Sequence, residues 1–172
     1  MKMLYGTLIG VVTVLVLMVA PLAVAKPPSW DKQINSPGRF QVLGDFAGAA
    51  VFDKETGLVW EQSPSTTTFT WIGAQINCNQ RTTGGRLGWR LPTVQELASL
   101  VDPNNPDGNP DLPPGHPFSN VGSINYWSAT TNADVTGNAW LVNFANGDVV
   151  TGDKTGTRRI WCVRGGQGVD PQ

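Results

Sequence analysis

Apolar positions in this chain change their spacing along its length, and each spacing predicts a different kind of element. The first pattern is a run: Leu8 to Ala20 is largely apolar, follows the basic Lys2, and gives way to Pro21-Leu22-Ala23-Val24-Ala25. A basic start, an apolar stretch and small residues in an A-x-A arrangement predict a signal peptide over residues 1–25. A retained membrane anchor is the other reading of this run, and Pro21 with its small neighbours favours cleavage before Lys26. No later stretch approaches the roughly 20 apolar residues of a span, so no membrane crossing is predicted in the mature chain. Residues 26–45, punctuated by Pro27, Pro28, Pro37 and Gly38, have no sustained period and are predicted to be a mobile lead-in.

Beyond that point short strand and helix patterns succeed one another, giving an α+β domain over residues 46–168. Val51-Phe52-Asp53 and Leu58-Val59-Trp60, separated by a turn ending in Gly57, predict a hairpin. Thr70 can cap a helix from Trp71 that places Trp71, Ala74 and Cys78 on one face. Thr93-Val94-Gln95-Glu96 is a capping box, and Leu97, Leu100 and Val101 continue an apolar face until Pro103. Asp102 to Phe118 contains six prolines and predicts a long surface loop. Ile124 to Ala129, the alternating Ala139 to Ala145, Asp148 to Thr151 and Arg158 to Arg164 predict strands, with Asn146-Gly147 as a two-residue hairpin turn.

Composition narrows the picture. A length of 172 residues suits one domain, and 15% charged residues against about 25% in an average soluble protein, with 20 Gly and 13 Pro, indicate a loop-rich fold. A net charge of −1 supplies no general attraction for nucleic acid, so no nucleic-acid partner is predicted. One His and two Cys cannot by themselves complete a four-ligand zinc site. Export to the periplasm or the cell exterior would instead place Cys78 and Cys162 where an even pair forms a structural disulfide.

Read in order, Phe52-Asp53 with Thr56-Gly57-Leu58-Val59-Trp60, Gly88-Trp89-Arg90-Leu91-Pro92-Thr93 with Glu96-Leu97, Tyr126-Trp127-Ser128-Ala129-Thr130, Trp140-Leu141-Val142-Asn143-Phe144 with Gly147, and Cys162-Val163-Arg164-Gly165 form a recognisable set. The set resembles the bacterial Lcl C-terminal-domain family over roughly residues 50 to 166. That family is similar to the C-type lectin-like and formylglycine-generating-enzyme group. The resemblance implies two helices packed on one twisted antiparallel sheet, closed by one disulfide, with a ligand-binding role for the long loop. The Glu-Pro-Asn, Gln-Pro-Asp and Trp-Asn-Asp triplets of calcium-dependent lectins are absent, so their sugar site is not carried over. Both cysteines are accounted for by the disulfide, so the oxidase chemistry of the second group is not carried over either.

Candidate chemistry is sparse. His116, the single His, lies in a Pro-flanked loop without a nearby nucleophile pattern and reads as a loop residue rather than a base. Glu61 and Glu96 are a conceivable acid/base pair that no spacing singles out. Asp102, Asn104, Asn105, Asp107, Asn109 and Asp111 gather oxygen ligands that a cation such as calcium uses, with Asp102, Asn104, Asp107 and Asp111 the candidate ligands. Asx residues beside Pro also make turns without metal, and that reading is preferred, so no cofactor is assigned. The aromatic rings of Trp60, Trp71, Trp89, Trp127, Trp140 and Trp161 suit sugar stacking, but their places in predicted elements favour burial. Arg86, Arg158 and Arg159 would grip acidic groups if the arginines gathered on one face.

The expected function is a non-catalytic attachment module for a cell-surface, matrix or envelope polysaccharide or a protein partner. Its candidate ligand residues are Asp107, Asn109, Asp111, His116, Asn125, Asn132, Asn138, Arg86, Arg158 and Arg159. An exported enzyme with a carboxylate or metal centre in the 102–118 loop, and a purely structural envelope module, are the alternatives. Oligomeric state is left open.

Overall fold

The hairpin of β2 (Ala50–Asp53) and β3 (Leu58–Glu61) forms part of the larger of two sheets. Its turn forms because the Asp53 carboxylate accepts from the Glu55 N–H at 3.0 Å and the Thr56 hydroxyl at 2.9 Å, while Gly57 takes the positive φ of 75° that side chains disfavour. The computed structural model describes residues 38–102, 104–105 and 110–166. The expected signal peptide, most of the lead-in, Asp107 and Asn109 lie outside the described residues.

The lead-in was expected to reach residue 45, but β1 (Phe40–Val42) pairs antiparallel with β2. The reason is an ion pair that no hydrophobic period announces. Arg39 is 7% exposed and donates to Asp53 from Nε at 2.9 Å and from Nη2 at 2.7 Å, and also to the Ser99 carbonyl at 2.8 Å. Phe40 follows into the core, its ring 5.0 Å from that of Phe118.

Helix α1 (Trp71–Asn79) starts where Thr70 Oγ1 accepts from the Gly73 N–H, as expected of an N-cap. Helix α2 (Val94–Ala98) carries the reciprocal capping box of Thr93 and Glu96, but it ends earlier than the apolar period suggests. Ser99 turns its hydroxyl back on the Glu96 carbonyl, and Leu100 closes a tighter turn onto Leu97.

One sheet was expected and two are present. Sheet order β1-β2-β3-β8-β4, with β4 at Trp89–Arg90 and β8 at Val163–Arg164, stands beside β5-β6-β7, made of Asn125–Thr131, Asn138–Asn143 and Val149–Asp153. All strand pairs within them are antiparallel. The expected last strand over 158–164 is therefore broken. Arg158 bridges Phe69 and Arg159 bridges Tyr126, so this segment crosses from one sheet to the other before β8. At the crossing the Cys162 carbonyl accepts from the Glu61 backbone N–H at 3.2 Å, while the Cys162 N–H turns to the Glu61 carboxylate at 3.3 Å.

The β6–β7 register also departs from the two-residue turn expected at Asn146-Gly147. Val142 faces Val149 and the Asn143 N–H reaches the Asp148 carbonyl, so Phe144 to Gly147 form a four-residue loop. Burial explains it: Phe144 is fully buried, and its backbone is bonded to Ile124 and Asp111 rather than to β7.

Two apolar clusters fill the interior. One surrounds Trp161, whose ring lies 4.9 Å from Phe118 and 5.7 Å from both Trp60 and Phe144, and whose N–H bonds the Glu61 carbonyl. The other, including Ala74, Trp89, Trp127, Leu141 and Ile160, encloses the Cys78–Cys162 disulfide, with a Cα separation of 5.4 Å. The result is an α+β fold of two helices, two antiparallel sheets and one disulfide. No helix among the described residues is long and apolar enough to cross a membrane.

Candidate functional site

Several polar groups of the proline-rich loop anchor it to its own backbone and to the β6–β7 turn. Asp102 Oδ1 accepts from the Asn104 N–H at 3.0 Å, the Asp102 N–H bonds the Asp111 carbonyl, and the Asn105 amide bonds the Leu112 carbonyl at 2.7 Å. The first of these is an Asx turn of the kind expected from Asx beside Pro. The Asp111 N–H reaches the Phe144 carbonyl at 2.9 Å, and Leu112 is fully buried, so the loop docks on the β6–β7 turn.

His116 is part of that anchorage. Its Nδ1 accepts from the Phe118 N–H at 3.2 Å and its ring stacks on Phe118 with centroids 5.9 Å apart. Partial burial lowers its pKa below the usual 6.5. The folded state therefore holds the neutral ring more strongly than the unfolded chain does, and the associated stability is complete above pH 6.5 and lost as pH falls below it. Urea midpoints measured from pH 7.5 to pH 5 should fall more for the native chain than for His116→Gln, and equal slopes would contradict this.

The remaining expected site residues do not converge. Asn132 Oδ1 accepts from the Asp134 and Val135 N–H groups and shapes the β5–β6 turn, which the bond from the Asn132 N–H to the Asn138 carbonyl closes. Asn125 lies at the far end of β5, opposite Asn143, its side-chain oxygen buried without a hydrogen-bond partner among the described residues. Arg86 and Arg164 both approach the Phe46 ring, at 5.8 and 6.0 Å. Arg158 lies over Trp127 at 5.9 Å, whereas its neighbour Arg159 reaches the Asn120 carbonyl. Successive residues of an extended segment point to opposite sides, so the arginines form no single anionic-ligand face. Arg39, Arg81 and Arg90 face carboxylates of Asp53, Glu61 and Glu96.

Glu61 and Glu96 are likewise engaged. Glu61 accepts from Thr83 at 2.8 Å, lies 3.4 Å from Arg81 and bonds the Cys162 N–H. Glu96 takes a two-pronged contact from Arg90, at 2.6 and 2.7 Å, and completes the Thr93 cap.

A different residue stands out, one that the expectation of burial passed over. Trp60, Trp89, Trp127 and Trp161 are at most 2% exposed, as expected. Trp71 is half-buried, with its N–H on the Ser128 carbonyl and Lys154 over its ring at 4.0 Å. Trp140 is half-buried too, yet its indole N–H has no partner among the described residues and is not enclosed. It lies on β6 opposite Thr151, with Asn138 opposite Asp153 one step along the hairpin. Directly paired residues of antiparallel strands share a face, as do residues two apart, so Asn138, Trp140, Thr151 and Asp153 form one surface. Period-two alternation placed Trp140 with Val142 and Phe144; it is less covered because β7 is an edge strand bearing only Thr151 opposite it.

Residues 49–164, from the Ala49 preceding β2 through β8, match the Lcl C-terminal domain family. The chain belongs to that family. Membership covers both cysteines, the proline-rich loop and the whole Trp140 hairpin, while β1 and Arg39 precede the matched Lcl C-terminal segment. No curated protein matches the chain.

Proposed function

We propose that this Lcl C-terminal domain is an exported, non-catalytic binding module of C-type lectin-like type, and that it recognises a surface, matrix or envelope glycan. The observation that carries this reading is Trp140, an aromatic ring exposed in part beside the polar side chains of Asn138, Thr151 and Asp153 on a strand pair held by the core. A ring presents a flat apolar face to the C–H side of a sugar, and neighbouring polar groups meet its hydroxyls. The engagement of Glu61 and Glu96 in caps and ion pairs favours binding over acid/base chemistry, because a general base must reach its proton. The disulfide and the basic-then-apolar start of the chain support export.

A glycan array probed with the disulfide-intact chain tests this. Signal on at least one glycan, with no hydrolysis of that glycan on prolonged incubation, is the expected result. A blank array, or turnover of the bound sugar, would contradict the proposal.

A further inference from the structure

The charge around Trp140 narrows the ligand, an inference that rests on the glycan-binding reading above. We infer that the surface of Asn138, Trp140, Thr151 and Asp153 takes a glycan that carries no negative charge.

The polar groups of this surface are mixed donors and acceptors, and most of them make no side-chain hydrogen bond among the described residues. The Asn138 amide, the Trp140 N–H and the Thr151 hydroxyl make no side-chain hydrogen bond among the described residues. Asp153 uses only Oδ1 within the protein, accepting from the Thr155 N–H at 2.8 Å and the Thr155 hydroxyl at 2.7 Å, which leaves Oδ2 for a ligand. A sugar hydroxyl both donates and accepts, so it matches such a set, whereas a sulfate or carboxylate only accepts.

Asp153 is fully exposed, and the two bonds from Thr155 keep it ionised by lowering its pKa. An anionic ligand on Trp140 would need a cation to offset that carboxylate, and the nearby cations are turned elsewhere. Lys154 holds the Thr131 hydroxyl at 3.0 Å, the Thr136 carbonyl at 2.8 Å and the Trp71 ring. Arg158 lies over Trp127, which pairs with Leu141 on the opposite face of the same sheet. A Cβ added at Gly152 would point to Leu141, Trp127 and Arg158 together, which sets these three on the face away from Trp140. Arg86 and Arg164 meet at Phe46, beside the other sheet. Among the described residues the Trp140 surface thus carries a carboxylate and no uncommitted cation, and like charge disfavours uronates and sulfated sugars there.

Titration of the full chain with chitohexaose, cellohexaose, laminarihexaose and mannohexaose, against hexagalacturonate and a heparin hexasaccharide, tests the inference by calorimetry at low and high salt. At least one uncharged hexasaccharide should bind with little salt dependence, and Trp140→Ala should weaken it by about thirtyfold, the range of a central aromatic anchor. The acidic hexasaccharides should bind more weakly, and Asp153→Asn, which keeps the Oδ1 acceptor for Thr155, should narrow that difference. Tighter binding of an acidic hexasaccharide, or equal binding of the uncharged ones by Trp140→Ala, overturns the inference and leaves glycan recognition standing through another surface. No binding of any sugar here, together with a blank array, overturns both.

Discussion

Replacing Cys78 and Cys162 together by Ala should destabilise the domain by about 4 kcal/mol, the effect expected of closing a loop of this length. The bond joins α1 to the segment just before β8 across a sequence separation of 84, so it restricts most of the domain in the unfolded state. Both residues are fully buried among Ala74, Trp89, Trp127 and Ile160, so the loss of packed sulfur adds to the chain-entropy term. Guanidinium unfolding of the oxidised native chain and the double variant measures the difference. A loss under about 1 kcal/mol would mean that the two clusters hold the sheets together without the staple.

Asp53→Ala should cost about 3 kcal/mol, because it removes the two-pronged partner of the buried Arg39 guanidinium and leaves it only the Glu55 carboxylate, 3.2 Å from Nε. Asp53 accepts from Arg39, from the Glu55 N–H and from Thr56, so one carboxylate ties the residue before β1 to the β2–β3 turn. Through the second Arg39 bond, to the Ser99 carbonyl, it also ties both to the end of α2. Pairing Asp53→Leu with Arg39→Met should lose less than the two single losses added together, since removing both charges removes the desolvation cost as well. Additive losses in chemical unfolding would show that the pair is not coupled.

The parts of this fold that local chemistry specifies were legible in the sequence. Thr70, the Thr93/Glu96 box and the Asp53–Gly57 turn each satisfy backbone groups with their own neighbours, and the cysteine pair needed only a compartment argument. What was not legible depends on partners distant in sequence. β1 exists because Arg39 finds Asp53; the segment from Arg158 leaves β3 because Arg158 pairs with Phe69 and the Arg159 carbonyl takes the Trp127 N–H; and the β6–β7 loop lengthens because Phe144 is pulled into the core. That last shift moves the pairing by an even number of residues, so the faces survive it and Trp140 stays on the side that alternation assigns. Its partial exposure was missed because periodicity reports which face a residue occupies and not whether anything covers that face. In the proline-rich loop, Asp102 makes a turn that Asx beside Pro announces, whereas the bond from the Phe118 N–H to His116 depends on how the loop docks and is not written in its spacing.

The most direct test of a binding surface at Trp140 is the indole N–H region of a two-dimensional nitrogen–proton NMR spectrum, recorded while the best array glycan is added to the isotope-labelled chain. Trp140→Phe assigns the signal. The Trp140 indole peak should move with added sugar, accompanied by the backbone peaks of Asn138, Thr151 and Asp153, while the peaks of the enclosed Trp60, Trp89, Trp127 and Trp161 stay in place. A stationary Trp140 peak at saturation, with shifts gathered around Arg86 and Arg164 or around the 102–118 loop, would contradict it.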